Sequence, residues 1–449
     1  MKGIRIGLIV VLSVMTVSLC GVLVCGITGR NIFGSPGRRN YKEVQLVLEK
    51  DISLDGIDSI SIMYGMNSND IYFYESENSA LTIKEYSSSE MNENELSTIS
   101  VNGSSLEVKG VRRNYGDGFR LFWFNGYSYN RHYTEVYLPG SYHGEIMLET
   151  SGGDIISNLD LELEKEVSIT STSGDISFPS VAASNAVINT SSGNVRMENI
   201  DTNVNGSVGE IHIRPSSGDV DLKELTGETD IQSSSGYLTV GSITGNTQLK
   251  TSSGDISIKE ITGETKVESS SGYQVIETLT GNAQLNSTSG DVSIQSMNGG
   301  TRIETTSGYV KILEGSGDRS LTTSSGNITV KGTEGNFQVS TQSGDVQINM
   351  QKGAGSIDTS SGDTQLGLEE LAGTLDIDSS SGYVNIKLST KNEFEFEADT
   401  SSGDIATFFD SDLSFSSRGH HAQGIYGANT QGNRIEIQTI SGDVRISKY

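Results

Sequence analysis

Asp255 to Gly272 reads DISIKEITGETKVESSSG. Ile256 and Ile258 alternate with polar residues, the period of a strand with one buried face. Ile261 precedes a Thr-Gly turn, and Thr265 and Val267 then alternate with Glu264, Lys266 and Glu268 as a second short strand. Ser-Ser-Ser-Gly closes the stretch. Similar phrases surround it on both sides. A Ser-Gly glycine stands at Gly218, Gly236, Gly254, Gly272, Gly290, Gly308, Gly326, Gly344 and Gly362, and every interval is 18 residues. A second glycine falls midway each time, from Gly227 to Gly353. Glycine at these turns is expected to supply positive φ without a Cβ clash.

The register holds from copy to copy. Four residues after the Ser-Gly glycine stand Leu222, Val240, Ile258, Ile276, Ile294 and Ile312, with Val330, Ile348 and Leu366 beyond them. Four residues after the midway glycine, Ile231 to Ile357 form a second unbroken aliphatic column. One copy cannot bury its apolar face alone, so stacked copies must supply the core. The expected fold is all-β: a parallel β-solenoid of 18-residue coils, two short strands per coil, with neighbouring coils roughly 4.8 Å apart. A meander of hairpins would also use glycine turns. It gives no reason for identical contexts to return at every second turn.

The chain has 449 residues, a formal net charge of −26, only 34% hydrophobic residues and 53 glycines. Such a composition can mean disorder, but strict periodicity argues for a thin ordered core. No basic stripe exists to displace phosphate counterions, which excludes nucleic acid as a partner. The two cysteines, Cys20 and Cys25, lie in an N-terminal apolar run. Residues 43 onward therefore hold no disulfide, thiolate nucleophile or cysteine metal site.

That run, Ile6 to Ile27, is uncharged and follows Lys2 and Arg5. It is long enough to cross a ~30 Å hydrocarbon core. It lacks the small-x-small site of a cleaved signal peptide, and Leu19 and Val24 spoil a lipoprotein box. An uncleaved single-pass anchor is expected. Arg30, Arg38, Arg39 and Lys42 follow the run and favour an inside C-terminal domain. Long domains translocate regardless of charge, and the acidic Ser/Thr/Gly-rich repeat reads as extracellular surface material.

The expected organisation is a cytoplasmic stub and anchor over 1–29, a linker over 30–43 and an N-terminal β cap over 44–150. Repeats then run over 151–389, and C-terminal coils with a cap over 390–449. An open solenoid end would recruit another chain, hence the caps. Gly118 to Gly140 is aromatic-rich. Phe122, Trp123, Tyr127 and Tyr129 are the candidate ligand-binding residues, set against a role as a lid over the first coil. Near the other end, Phe394, Phe396, Phe408, Phe409 and Phe415 are expected to thicken the core.

Candidate chemistry is sparse. The residue after the Ser-Gly glycine alternates Asp219, Tyr237, Asp255, Tyr273, Asp291, Tyr309, and then breaks at Asn327, Asp345 and Asp363. Interposed tyrosines would keep carboxylates from stacking and repelling. A calcium ladder needs several oxygen ligands per site, and this pattern is too poor for one. The histidines, His132, His143, His212, His420 and His421, have no metal or triad spacing; the last two read as solvated loop. No catalytic residue, cofactor or metal is expected.

TSTSGDIS (Thr170 to Ser177), KTSSGDISI (Lys250 to Ile258) and DTSSGDIA (Asp399 to Ala406) resemble the DUF4097 family of bacterial domains, also labelled candidate adhesins. YLPG before ETSGGDI and the terminal QTISGDVRIS are similar to that family's opening and ending. The resemblance covers residues 44 to 449. It implies a β-solenoid, often membrane-tethered and sometimes linked to envelope stress, with no catalytic residues to carry over. The expected function is a membrane-anchored, surface-facing binding or structural module whose partner is a cell-wall glycan or another envelope protein. The alternatives are an intracellular membrane-attached scaffold that polymerises end to end, and a carbohydrate-active β-helix enzyme.

Overall fold

The computed structural model describes residues 43–65, 68–111, 131–416 and 419–449. The anchor run lies outside them, as do Phe122, Trp123, Tyr127 and Tyr129. Among the described residues no helix is long and apolar enough to cross a membrane.

The chain is all-β, and parallel pairing dominates. Ile256–Thr262 pairs in parallel with Leu238–Thr244 before it and Gln274–Thr280 after it. Thr265–Ser269 does the same with Thr247–Thr251 and Ala283–Ser287. Each residue faces the one 18 positions on, so a side chain meets its own counterpart in the next coil. The longer strand bends in its middle. Lys259 and Glu260 are both exposed, and the phase flips so that Ile261 turns inward. This adds a further inner column, Leu225, Ile243, Ile261, Leu279 and Met297, to those expected. Full burial of each such side chain contributes about 1.5–3 kcal/mol.

That column is interrupted at Gly315 and resumes with Met350 and Leu368. Beside Gly315, Arg319, only 3% exposed, turns into the interior. Its guanidinium donates to the carbonyls of Gly317 at 2.8 Å, Glu334 at 3.1 Å and Gly315 at 3.3 Å. Burial pulls its pKa down to about 10, so it stays charged at neutral pH. Arg319→Ala should cost about 2–4 kcal/mol by leaving a void and stranded carbonyls. Arg319→Met should recover the packing part of that cost only, because it fills the void but strands the same carbonyls. Urea unfolding of the two variants checks the ranking.

Positive φ accounts for only one of the two kinds of turn glycine, which corrects the single role expected. The midway glycines from Gly227 to Gly335 have it, as at Gly263 (+138°), and they approach the preceding coil as well: a Cβ on Gly263 would lie 2.3 Å from the Gly245 carbonyl oxygen. Most Ser-Gly glycines have no such φ. They are needed because successive turns almost touch: a Cβ on Gly290 would lie 1.8 Å from the carbonyl oxygen of Gly272. From Gly254 to Gly344 the residue three before the Ser-Gly glycine points inward and caps the turn. Thr251 Oγ1 accepts from Gly254 N–H at 3.0 Å, and Thr305 Oγ1 from Gly308 N–H at 3.0 Å. The Thr-Ser-Ser-Gly phrase is thus one buried acceptor, two outward hydroxyl residues and one contact that tolerates no side chain.

Before Gly218 the spacing of the Ser-Gly glycines is longer, since the one before it is Gly193. Between Gly193 and Gly218 a small hairpin, Asn203–Val204 with Ser207–Val208, is inserted into the coil. Asn205 and Gly206, both at positive φ, make its turn.

Both ends depart from sequential stacking. Ser59–Tyr64 lies between Ser105–Lys109 and Glu145–Thr150. Asp70–Glu75 likewise lies between His132–Leu138 and Ile155–Ser157. At the other end Arg434–Ser441 is inserted between Thr364–Ser381 and Phe394–Ser402. Val444–Lys448 is inserted between Val384–Leu388 and Ile405–Thr407. Antiparallel strands then finish each end. The nine-residue outer strand Gln45–Ser53 carries a bulge and the charges Glu49, Lys50 and Asp51, which discourage edge pairing. In the C-terminal cap Phe394, Phe396 and Phe409 are buried and Phe408 packs against them. Phe415 does not join them. It is exposed, because it sits on the short outer strand Leu413–Phe415.

Candidate functional site

The residues that follow the Ser-Gly glycines form a row along one edge of the repeat. Tyr237, Tyr273 and Tyr309 are 62%, 57% and 56% exposed. Asp219, Asp255 and Asp291 alternate with them, and their role differs from the solvated spacing expected. Asp219 Oδ1 accepts from Tyr237 N–H at 2.9 Å, Asp255 Oδ1 from Tyr273 N–H at 2.9 Å, and Asp291 Oδ1 from Tyr309 N–H at 2.8 Å. Each carboxylate bonds the backbone of the next coil. Directly stacked carboxylates are tolerated for the same reason: Asp363 N–H donates to Asp345 Oδ1 at 3.0 Å. The row is therefore stiff, with one carboxylate oxygen held in place in each of these coils.

A second aromatic surface lies on the N-terminal cap. Tyr72 and Tyr74 come from Asp70–Glu75, Tyr86 from Ala80–Ser87, and Tyr133 and Tyr137 from His132–Leu138. Tyr86 stacks on Tyr133 at 4.6 Å and Tyr74 on Tyr137 at 5.3 Å. Glu135 accepts from the Tyr137 hydroxyl at 3.0 Å, and Lys84 Nζ stands 5.1 Å from the Tyr137 ring centre. Burial, then the Glu135 carboxylate, pushes Tyr137 up to about 12, so the phenol is neutral at physiological pH. These rings spend much of their surface on one another. Tyr72, Tyr74 and Tyr86 carry no sequence signal, since their strands meet only in the folded cap.

A third cluster joins Glu397, Asp399 and His421, whose potential ligand atoms all lie within 4.8 Å of one another. Antiparallel pairing sets Asp399 opposite His421, with Nδ1 to Oδ1 at 2.7 Å. Sequence reading missed this, because cross-strand partners are 22 residues apart. Arg434 already engages Glu397 at 2.9 Å, so the set is an ion-paired network as it stands.

Nearby the outer face is acidic. Burial, then Asp376, Asp358 and Glu436, raise the pKa of Asp378. A carboxyl raised in the folded state favours folding below its unfolded pKa, and that benefit is lost as pH rises through the folded value. Asp378→Asn should therefore raise the melting temperature at pH 7 and leave it unchanged near pH 3. Paired thermal melts test the sign.

No curated protein matches this chain in sequence. Among solved structures, a candidate cell adhesion protein from Clostridium sporogenes is similar at 9% identity and a TM-score of 0.16, covering 91% of this chain and all of that one. A candidate adhesin from Parabacteroides distasonis is similar at 11% identity and a TM-score of 0.17, covering 74% of this chain and 97% of that one. Likeness at those TM-scores carries no argument here. The sequence profile of the Toastrack DUF4097 family matches residues 57–259, 210–351 and 316–447, which together span almost the whole described solenoid and its caps. The chain belongs to the Toastrack DUF4097 family.

Proposed function

We propose that this protein is a non-catalytic binding module of the cell surface, tethered by its N-terminal apolar run and binding an extended ligand along its repeat edge. The observation that carries the reading is the row of Tyr237, Tyr273 and Tyr309, more than half exposed on alternate coils. Aromatic side chains are enriched at interaction surfaces relative to the rest of a protein's surface, and here they recur at a fixed spacing. The carboxylates between them are fixed by the backbone, which lowers the ordering cost of a contact. The antiparallel ends, one edged with charge, fit a monomeric module better than an end-to-end polymer.

Two measurements test it. Protease treatment of intact cells should remove the domain, and complete protection beside a digested surface control would overturn the outside placement. The full-length protein in detergent should co-sediment with isolated cell envelopes. Absence of sedimentation would overturn the binding role.

A further inference from the structure

Tyr237, Tyr273 and Tyr309 stand on every second coil, so their rings recur at roughly 9–10 Å, twice the spacing of paired strands. In an extended β-1,4-linked sugar chain every second ring presents the same face, and one disaccharide advances by a similar length. We infer that the edge row binds an extended β-1,4-linked aminosugar chain laid along the solenoid axis, with one tyrosine under each disaccharide. This rests on the binding-module reading above and names its ligand.

Three features of the row converge on that chemistry. A tyrosine ring is a flat apolar platform with a polar tip, suited to the C–H face of a pyranose edged by hydroxyls. Asp219, Asp255 and Asp291 lie between the rings, each with one oxygen already accepting a backbone N–H. A carboxylate has acceptor capacity for further donors, so sugar hydroxyl, amide or ammonium groups can bond to an acceptor whose position is set beforehand. The row's own carboxylates and the net charge of −26 repel polyuronates and favour a chain that is neutral or carries amines. An amine reaching a ring face gains further from the π-system. In the outward column beside the row, Thr239, Val275 and Lys311 follow the three tyrosines and Ser257 and Ser293 lie between them. The small residues at Thr239, Ser257 and Ser293 leave room for a ligand that follows the axis, and Lys311 adds a donor at the Tyr309 end.

The test is calorimetric titration of the full-length protein in detergent micelles with partly N-deacetylated β-1,4-linked glucosamine oligomers. Affinity should climb from dimer to tetramer to hexamer as a second and third ring engage, and polygalacturonate should not bind. Tyr237→Ser, Tyr273→Ser and Tyr309→Ser together should weaken hexamer binding by about tenfold or more. Exchanging the two types, Asp255→Tyr with Tyr273→Asp, keeps the composition but breaks the period, and should weaken it by about threefold or more. Thermal melts establish that each variant is folded; if the triple variant is not, the exchange variant decides. Equal affinity for dimer and hexamer, preference for polygalacturonate, or unchanged hexamer binding in a folded variant would overturn the inference. Sedimentation with envelopes combined with indifference to the hexamer overturns the glycan assignment and leaves the binding module standing.

Discussion

Gly290→Ala should destabilise the solenoid by about 4 kcal/mol or more, the scale of the rare severe point substitutions. The added methyl would lie 1.8 Å from the Gly272 carbonyl oxygen and 2.6 Å from its carbon. Both are backbone atoms, so no side chain can swing aside. The turn can only move away from its neighbour. That lengthens the ladder bonds on either side, including Ser289 N–H to the Ser270 carbonyl at 3.0 Å. Because each coil contacts only its neighbours, the damage should open the stack locally before it melts globally. Hydrogen exchange should therefore show lost protection centred on the coils around residues 272–308. The adjacent Ser289→Ala removes only an outward hydroxyl and should stay within about 0.5 kcal/mol of the parent. Equal stability of the two variants in urea would mean that the turns are not in contact.

Removal of residues 434–449 should have an effect of similar size by a different route. The segment is the last in the chain but not the last in space. It is hydrogen-bonded on one side to Thr364–Ser381 and Val384–Leu388, and on the other to Phe394–Ser402 and Ile405–Thr407. Its inward residues Ile435, Ile437, Val444 and Ile446 are all buried. Deletion takes a layer out of the stack, leaves two unpaired parallel edges facing each other and detaches the phenylalanine-filled cap. Exposed edges of that length recruit other chains. Size-exclusion chromatography of the truncated protein should give aggregate in place of monomer. A monomer with the parent's melting temperature would show that the remaining strands close the gap by themselves.

The repeat was legible in advance because a solenoid applies one rule at every coil. Side chains meet their counterparts 18 residues away, so the apolar columns appear directly as sequence periodicity. Ile258 and Val267 declare their burial by position alone, and both are buried. Ile261 was visible as an apolar residue. Its column was not, because the bend at Lys259–Glu260 breaks simple alternation. Arg319 occupies the inward register between Thr301 and Phe337, so the period points it inside. What the sequence does not supply is how a charge is accommodated there, which depends on the carbonyls of Gly315, Gly317 and Glu334.

The candidate surfaces divide along the same line. The alternation of Asp and Tyr could be read from the chain, as could the exposure implied by its place in a turn. That each carboxylate bonds the next coil's backbone could not, because the bond depends on how closely two turns approach. The cap tyrosines and the Glu397–Asp399–His421 network lay beyond reach for a stronger reason. Antiparallel and inserted strands bring together residues with no fixed separation in the chain.

The amino-acid sequence alone determined the all-β class, the 18-residue coil and the inner columns that contain Ile258 and Val267, because stacking by translation maps sequence period onto space. Only the tertiary structure decided that both kinds of turn glycine serve close contact and that the midway ones serve φ as well. It alone set the terminal strand inside the stack, and it turned the aspartates from solvated spacers into backbone acceptors. Each of these depends on the distance between backbones that meet in the fold, which no local pattern of residues encodes.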